Sequence, residues 1–196
     1  MPSQCLVVNL SADKLSTDII EACRLGDRDA FRTLYELYKD RVYSISLYFF
    51  HGDAVVASDI TQEVFLKVIA SIRQFRGDAE FSTWLYRLVV NACMDTDRGR
   101  KSDAVIVDRS RIEAFPAPDS QEQEYERAEM TKSVRAAVSA LAPKFRVAVL
   151  LRYFEDLSYE QMAKALHCSI GTVGSRLSRG HKLLAERLRG LTGTKG

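Results

Sequence analysis

Two stretches of this 196-residue chain gather side chains able to handle nucleic acid. In "GTVGSRLSRGHK", residues 171–182, Thr172, Ser175, Arg176, Arg179 and Lys182 recur at helical spacing. Hydroxyls and guanidinium groups early in an exposed helix can reach base edges in a major groove, while arginines and lysines neutralise phosphates. In "FRGDAEFSTWLYRLVVNACMDTDRGRK", residues 75–101, Trp84, Tyr86, Arg87, Asn91, Arg98, Arg100 and Lys101 mix aromatic and cationic groups. Each aromatic face stacked on an unpaired base contributes about 1–3 kcal/mol, and the cations hold the backbone, which suits single-stranded or melted DNA. Residue types alone leave bland alternatives open. The first stretch also fits a helical hairpin with a solvated basic face, and Trp84 and Phe81 also fit a hydrophobic core.

Covalent chemistry finds less support. His51, His167 and His181 are isolated, and no nucleophile elbow, phosphate-binding glycine loop or defensible carboxylate pair occurs. Cys5, Cys23, Cys93 and Cys168 are far apart, without a C-x-x-C pair or a histidine at metal-ligand spacing. The expectation is a non-enzyme with no metal and no cofactor.

Charge is distributed unevenly. The formal net charge is +2, yet Thr131–Gly196 holds twelve Lys/Arg against four Asp/Glu. Just before it, between Ile112 and Met130, Glu113, Asp119, Glu122, Glu124, Glu126 and Glu129 face only Arg127. An acidic strip thus precedes a basic block. The first residues lack the basic start and apolar run of a signal peptide, and no apolar stretch is long enough to span a bilayer. A cytoplasmic protein without membrane insertion is expected.

The elements that must carry these groups are helical throughout. A short helix is expected over 15–25, ended by Gly26. In the next, Phe31, Leu34, Tyr35, Tyr38, Val42, Ile45 and Phe49 advance by threes and fours. Asp59, with Gln62 three residues on, reads as the N-cap of a helix burying Ile60, Val64, Phe65, Val68 and Ile72. Ser82 reads as the cap of a helix carrying Trp84, Leu85, Leu88, Val89 and Ala92. Residues 102–125, with two prolines and no sustained period, read as a linker. Its "AVIV" could form a transient strand, although a loop is the better reading.

Helical signal resumes near Glu126, with one helix carrying Val134, Val138 and Leu141 and another opened by Pro143 and containing Phe145, Val149, Leu150, Tyr153 and Phe154. Ser158 and Gln161 form a capping box; Met162, Ala163 and Leu166 face inward; His167 and Cys168 make a turn; Ser169 caps again; and Val173, Leu177, Leu184 and Leu188 form a buried stripe. That is helix-turn-helix spacing. His167 stands where such a turn wants a left-handed residue, which histidine tolerates better than most. Gly171, Gly174 and Gly180 weaken the second helix, by about 1 kcal/mol each against alanine. The architecture expected is all-α: an extension at 1–14, a helical domain at 15–101, an acidic linker at 102–125, a helix-turn-helix domain at 126–190 and a tail at 191–196.

Two longer runs are more specific together. "DITQEVFLKVIASIRQFRGDAEFSTWLYRLVVNACMD" resembles region 2, and "LLRYFEDLSYEQMAKALHCSIGTVGSRLSRGHKLL" resembles region 4, of the extracytoplasmic-function (ECF) sigma factors of bacterial RNA polymerase. The order and spacing also match. The resemblance implies that Asp59, Gln62, Glu63, Phe65 and Lys67 dock on the polymerase clamp. Phe75, Arg76, Phe81, Ser82, Thr83, Trp84, Arg87, Asn91 and Asp95 would capture the melted −10 strand. Thr172, Ser175, Arg176, Arg179 and Lys182 would read the −35 duplex, and apolar residues around Phe145 to Phe154 would meet the polymerase flap.

The acidic linker would thread a nucleic-acid channel, its carboxylates standing in for phosphates. Core RNA polymerase, promoter DNA and an anti-sigma factor are the implied partners. This chain departs from the family at Gly174, commonly lysine, and at Gly180, commonly alanine. The rival expectation is a regulator that binds duplex DNA through its helix-turn-helix without polymerase.

Overall fold

The computed structural model describes residues 17–102 and 133–192, and no strand occurs among them. The extension expected at 1–14 and residues 103–125 of the expected linker lie outside the described residues, while Ser102, read as the first linker residue, belongs to the last helix of the amino-terminal half. In the amino-terminal half, α1 (Thr17–Leu25), α2 (Arg28–Phe49), α3 (Ala54–Ser71) and α4 (Phe81–Ser102) pack together, with a 3₁₀ turn at Ile72–Gln74. In the carboxy-terminal half, α5 is helical over 133–139 and is followed by α6 (Pro143–Tyr153), α7 (Tyr159–Ala165) and α8 (Ile170–Thr192).

Local signals account for most boundaries. Gly26, at φ 89°, ends α1 as expected, and the Asp27 carboxylate then accepts from the N–H groups of Asp29 and Ala30 to start α2. Leu34, Tyr38, Val42, Ile45 and Phe49 form the buried face of α2, and Ile60, Val64, Phe65, Val68 and Ile72 are buried along α3 and its 3₁₀ extension. Pro143 opens α6 at its first turn, where a missing N–H costs nothing.

Three expectations are corrected. Helix α3 starts at Ala54 rather than after Asp59, because the Asp53 carboxylate, just past the left-handed Gly52, accepts from Val56 N–H. Asp59 therefore lies inside the helix on an exposed face. Helix α4 starts at Phe81, with Trp84 N–H bonding to the Glu80 carbonyl, so Ser82 lies within the first turn and is not its cap. Residues 191–192, read as tail, continue α8.

The two halves touch. Helix α6 packs on α2, α7 packs on α4, and the buried apolar residues of both halves form one contiguous cluster. Arg146, 5% exposed, donates to the carbonyl of Phe49 at the end of α2 and to those of Ser139 (2.5 Å) and Leu141 (2.8 Å). A buried charge persists only when it is held by hydrogen bonds, and here those of Arg146 bridge the halves.

Candidate nucleic-acid interface

The carboxy-terminal helix-turn-helix is built from its caps outward. Ser158 Oγ accepts from Gln161 N–H at 3.2 Å, and Gln161 Oε1 accepts from Ser158 N–H at 2.8 Å, the reciprocal box expected. The turn passes through His167 at φ 47°. Ser169 Oγ then accepts from Thr172 N–H at 3.1 Å and shares a hydrogen bond with the Thr172 hydroxyl at 2.9 Å.

Burial of Val173 and Leu177 fixes the rotation of α8. Ser175, Arg179 and Lys182 consequently face solvent, with Thr172 and Arg176 half-buried beside them. The expected stripe thins toward its end, where Leu184 and Leu188 are half-buried.

A second site forms where the loop after α3 meets the start of α4. Phe75, Phe81 and Trp84 close into a triad with every ring-centroid separation between 5.5 and 5.7 Å. All three are buried, so the aromatic groups form the floor and not a projecting platform. Phe75, Arg76, Thr83, Trp84 and Arg87 line a cavity of about 250 Å³, which Lys164 of α7 joins from the other half. Thr83 is 2% exposed, and its hydroxyl has no hydrogen-bond partner. A buried orphan hydroxyl costs about 1–3 kcal/mol, and this one belongs to a residue that lines the cavity. Ser82 is half-buried next to this group. Asn91 and Asp95 lie further along α4, exposed, with Asp95 paired to Arg98.

The third surface is the outer face of α3 with α2. Asp59 and Gln62 are exposed, Glu63 and Lys67 pair at 2.5 Å, and Phe65 is buried with its ring edge-on to Tyr35 at 4.8 Å. Gln62 and Phe65 line a shallow groove together with Leu66 and Ile69. Leu66 and Ile69 are 60% and 55% exposed. Sequence reading omitted these two. The signal was available, since the inward positions of α3 leave these apolar residues, with Val55, on the outer side. Of the residues expected at the polymerase flap, Phe145 is half-buried, Tyr153 is exposed against His181, and Phe154 packs on Tyr48 of α2 at 4.6 Å.

Between the halves lies a polar contact that the sequence did not announce. The Tyr86 hydroxyl donates to the Glu155 carboxylate, with the Arg41 guanidinium beside both. Burial raises the Tyr86 phenol and the Glu155 carboxyl above their usual ranges, and the hydrogen bond and Arg41 pull Glu155 partly back. Burial also pushes the Cys93 thiol up to about 12. Among the described residues there is no group of three metal-capable side chains, and no helix is long and apolar enough to cross a membrane.

Comparison with known proteins matches both halves. Residues 34–102 fit the model of Sigma-70 region 2, and residues 131–184 fit that of Sigma-70, region 4. The RNA polymerase sigma-H factor of Pseudomonas aeruginosa is 34% identical over 181 residues, covering 88% of this chain and 93% of that protein. The ECF RNA polymerase sigma factor SigW of Bacillus subtilis is 29% identical over 180 residues, covering 88% and 96%. In fold, the chain is similar to the sigma factor RpoE of Bartonella quintana, solved in complex with the anti-sigma factor NepR. There the TM-score is 0.66 at 23% identity, covering 81% of this chain and 96% of that one.

Proposed function

The chain belongs to the ECF sigma factors of bacterial RNA polymerase, and on that premise we propose how its residues divide the work of promoter recognition. Helix α8 enters the −35 major groove. Thr172, Ser175 and Arg176 face the bases, and Arg179 and Lys182 face the phosphates. The cavity at the start of α4 receives an unstacked base of the −10 strand, with Thr83 as hydrogen-bond partner, Arg76 and Arg87 on the backbone, and the Phe75–Phe81–Trp84 triad as a rigid wall. Holding that base offsets a few kcal/mol of unstacking, so the open state becomes populated. Asn91 and Asp95 extend the contact along α4.

The groove of α2 and α3 docks on the polymerase clamp through Gln62, Leu66 and Ile69, rimmed by Asp59, Glu63 and Lys67, with Phe65 as its floor. Tyr153, Phe154 and Phe145 meet the flap. Two heads on one tether then gain from effective concentration, since docking of one makes the other intramolecular. No covalent step is needed; the chain is not an enzyme, and it acts in the cytoplasm, where polymerase and DNA are. The Bartonella sigma factor is held by an anti-sigma protein, and we extend that mode of control to this chain.

The observation that carries the −10 assignment is the buried, unpartnered hydroxyl of Thr83, a residue that lines a cavity flanked by two arginines. Thr83→Val removes the hydroxyl at constant shape. With core polymerase and a duplex promoter, permanganate reactivity of the −10 thymines should fall about fivefold, the worth of one hydrogen bond, while the chain stays folded. Unchanged reactivity would remove Thr83 from the site. A gel shift of the same duplex should require core and chain together. A shift by the chain alone would favour the polymerase-independent regulator.

A further inference from the structure

Helix α8 has Val173, Leu177 and Gly180 buried and Gly171, Ser175 and Ser178 exposed. With about 3.6 residues per turn, Gly174 stands on the boundary between these two faces, and it is half-buried. A helix lying in a major groove meets base edges along its middle and phosphates along its margins. Position 174 is such a margin, and it carries no side chain. We propose that Tyr159 of α7 supplies the contact there, its phenol donating to a −35 backbone phosphate beside Gly174.

Three observations carry this. A β-carbon on Gly174 would lie 3.8 Å from Cε2 of Tyr159 and near no other side chain. Cε2 is bonded to the ring carbon that bears the hydroxyl, so the polar end of the tyrosine, not its stem, occupies the place beside the glycine. Next, Tyr159 is 41% exposed despite its large ring. It presents an apolar body to α8 and a polar tip to solvent, the form that suits a wet, charged partner. Finally, the polar groups around it are taken. Ser158 and Gln161 are bonded to each other, and Glu160 accepts from Ser158 Oγ at 2.9 Å. Among the described residues the Tyr159 hydroxyl has no hydrogen-bond partner.

A phenol is a neutral donor, so it positions the duplex without displacing a counterion as a lysine would. It reads no base. Its short, stiff side chain fixes how far α7 stands from the strand, and hence the angle at which α8 presents Thr172, Ser175 and Arg176 to the base edges.

The test uses holoenzyme formed from core polymerase and the full chain, with fluorescein-labelled duplex promoters over a range of salt. Tyr159→Phe keeps the ring against Gly174 at an exposed position, so thermal unfolding should match wild type. Promoter binding should weaken about tenfold, as for a lost hydrogen bond to a charged group. The factor should be alike for matched and mismatched −35 elements, and the salt slope should not change. Ethylation interference gives a readout that a merely structural tyrosine would not move: one −35 phosphate whose ethylation weakens the wild type and leaves Tyr159→Phe unaffected. Adding Gly174→Lys to Tyr159→Phe should restore affinity with a slope steeper by about one unit.

Wild-type affinity in Tyr159→Phe, or the same interference pattern in both proteins, would overturn the contact. A loss confined to one −35 sequence would also overturn it, since that is base readout. The inference rests on α8 lying in the −35 groove, and Arg176→Ala and Arg179→Ala test that premise separately. Loss in those variants with a silent Tyr159→Phe rejects the tyrosine contact alone; silence in all three rejects the groove reading with it.

Discussion

Gly180 of α8 stands so close to Val149 of α6 that a β-carbon on the glycine would lie 3.1 Å from the valine Cγ2. The two helices cross at this point, and the glycine is buried. Its helix cost of about 1 kcal/mol opposes an overpacking cost of about 1–3 kcal/mol for anything larger. Gly180→Ala should therefore lower stability by about 1 kcal/mol in thermal unfolding, despite better helix propensity. In a double-mutant cycle with Val149→Ala, the two changes should couple favourably by a similar amount. Simple additivity would mean that the crossing is not held by this contact.

Gly174 behaves differently. A β-carbon there would meet only the Tyr159 ring, at an ordinary 3.8 Å. Gly174→Ala should stabilise the chain by about 0.5–1 kcal/mol. Gly174→Lys should add a phosphate contact on α8, tightening −35 binding of many sequences alike and steepening the salt slope by about one unit. An unaltered slope would place position 174 away from the phosphates.

Leu66 and Ile69 tie the chain to polymerase in this account. Both are more than half exposed, so Leu66→Asp or Ile69→Asp should change unfolding by less than about 0.5 kcal/mol. Affinity for core polymerase should nevertheless drop about tenfold or more, as for an apolar anchor at the centre of an interface. Native co-purification and titration with labelled chain measure it. Full affinity in both variants would move the clamp contact elsewhere.

Acid pH should favour packing of the two halves on each other, the closed arrangement of the structure. Glu155 faces Tyr38 and Arg41 from α2, Tyr86 from α4 and Asp156 on its own loop. Burial is the largest influence and raises its carboxyl, with Tyr86 and Arg41 opposing and Asp156 adding. A raised acid keeps its proton longer when closed than when open. Closure is thus strongest below the ordinary carboxylate range and weakens as pH rises through the raised value. Acrylamide quenching of Trp84, the one tryptophan, should increase across that window in the wild-type chain and stay flat in Glu155→Gln. Identical profiles would detach Glu155 from the contact between the halves.

Local features of this fold were legible because they are written in neighbouring residues. Gly26, the Ser158–Gln161 box, Ser169 and Pro143 all act within a few positions, and the structure shows each in its expected role. Asp59 misled because Asp53, six residues earlier, had already capped α3 by accepting from Val56 N–H. The contact between halves was hidden for another reason. Arg146 and Glu155 sit in no motif, and their partners Phe49 and Tyr86 are 97 and 69 residues away. Nothing local marks a charge that will be buried. The cavity was half legible: Thr83, Trp84 and Arg87 were singled out, but Lys164 enters only through tertiary packing.

Run-off transcription from a genomic fragment library, with purified core polymerase and the full chain, tests the central claim most directly. The account predicts discrete start sites absent with core alone, each preceded by two shared elements at fixed spacing. It also predicts loss of those starts on Arg176→Ala or Arg87→Ala. Transcripts indistinguishable from those of core alone, with the chain binding intact duplex unaided, would contradict it.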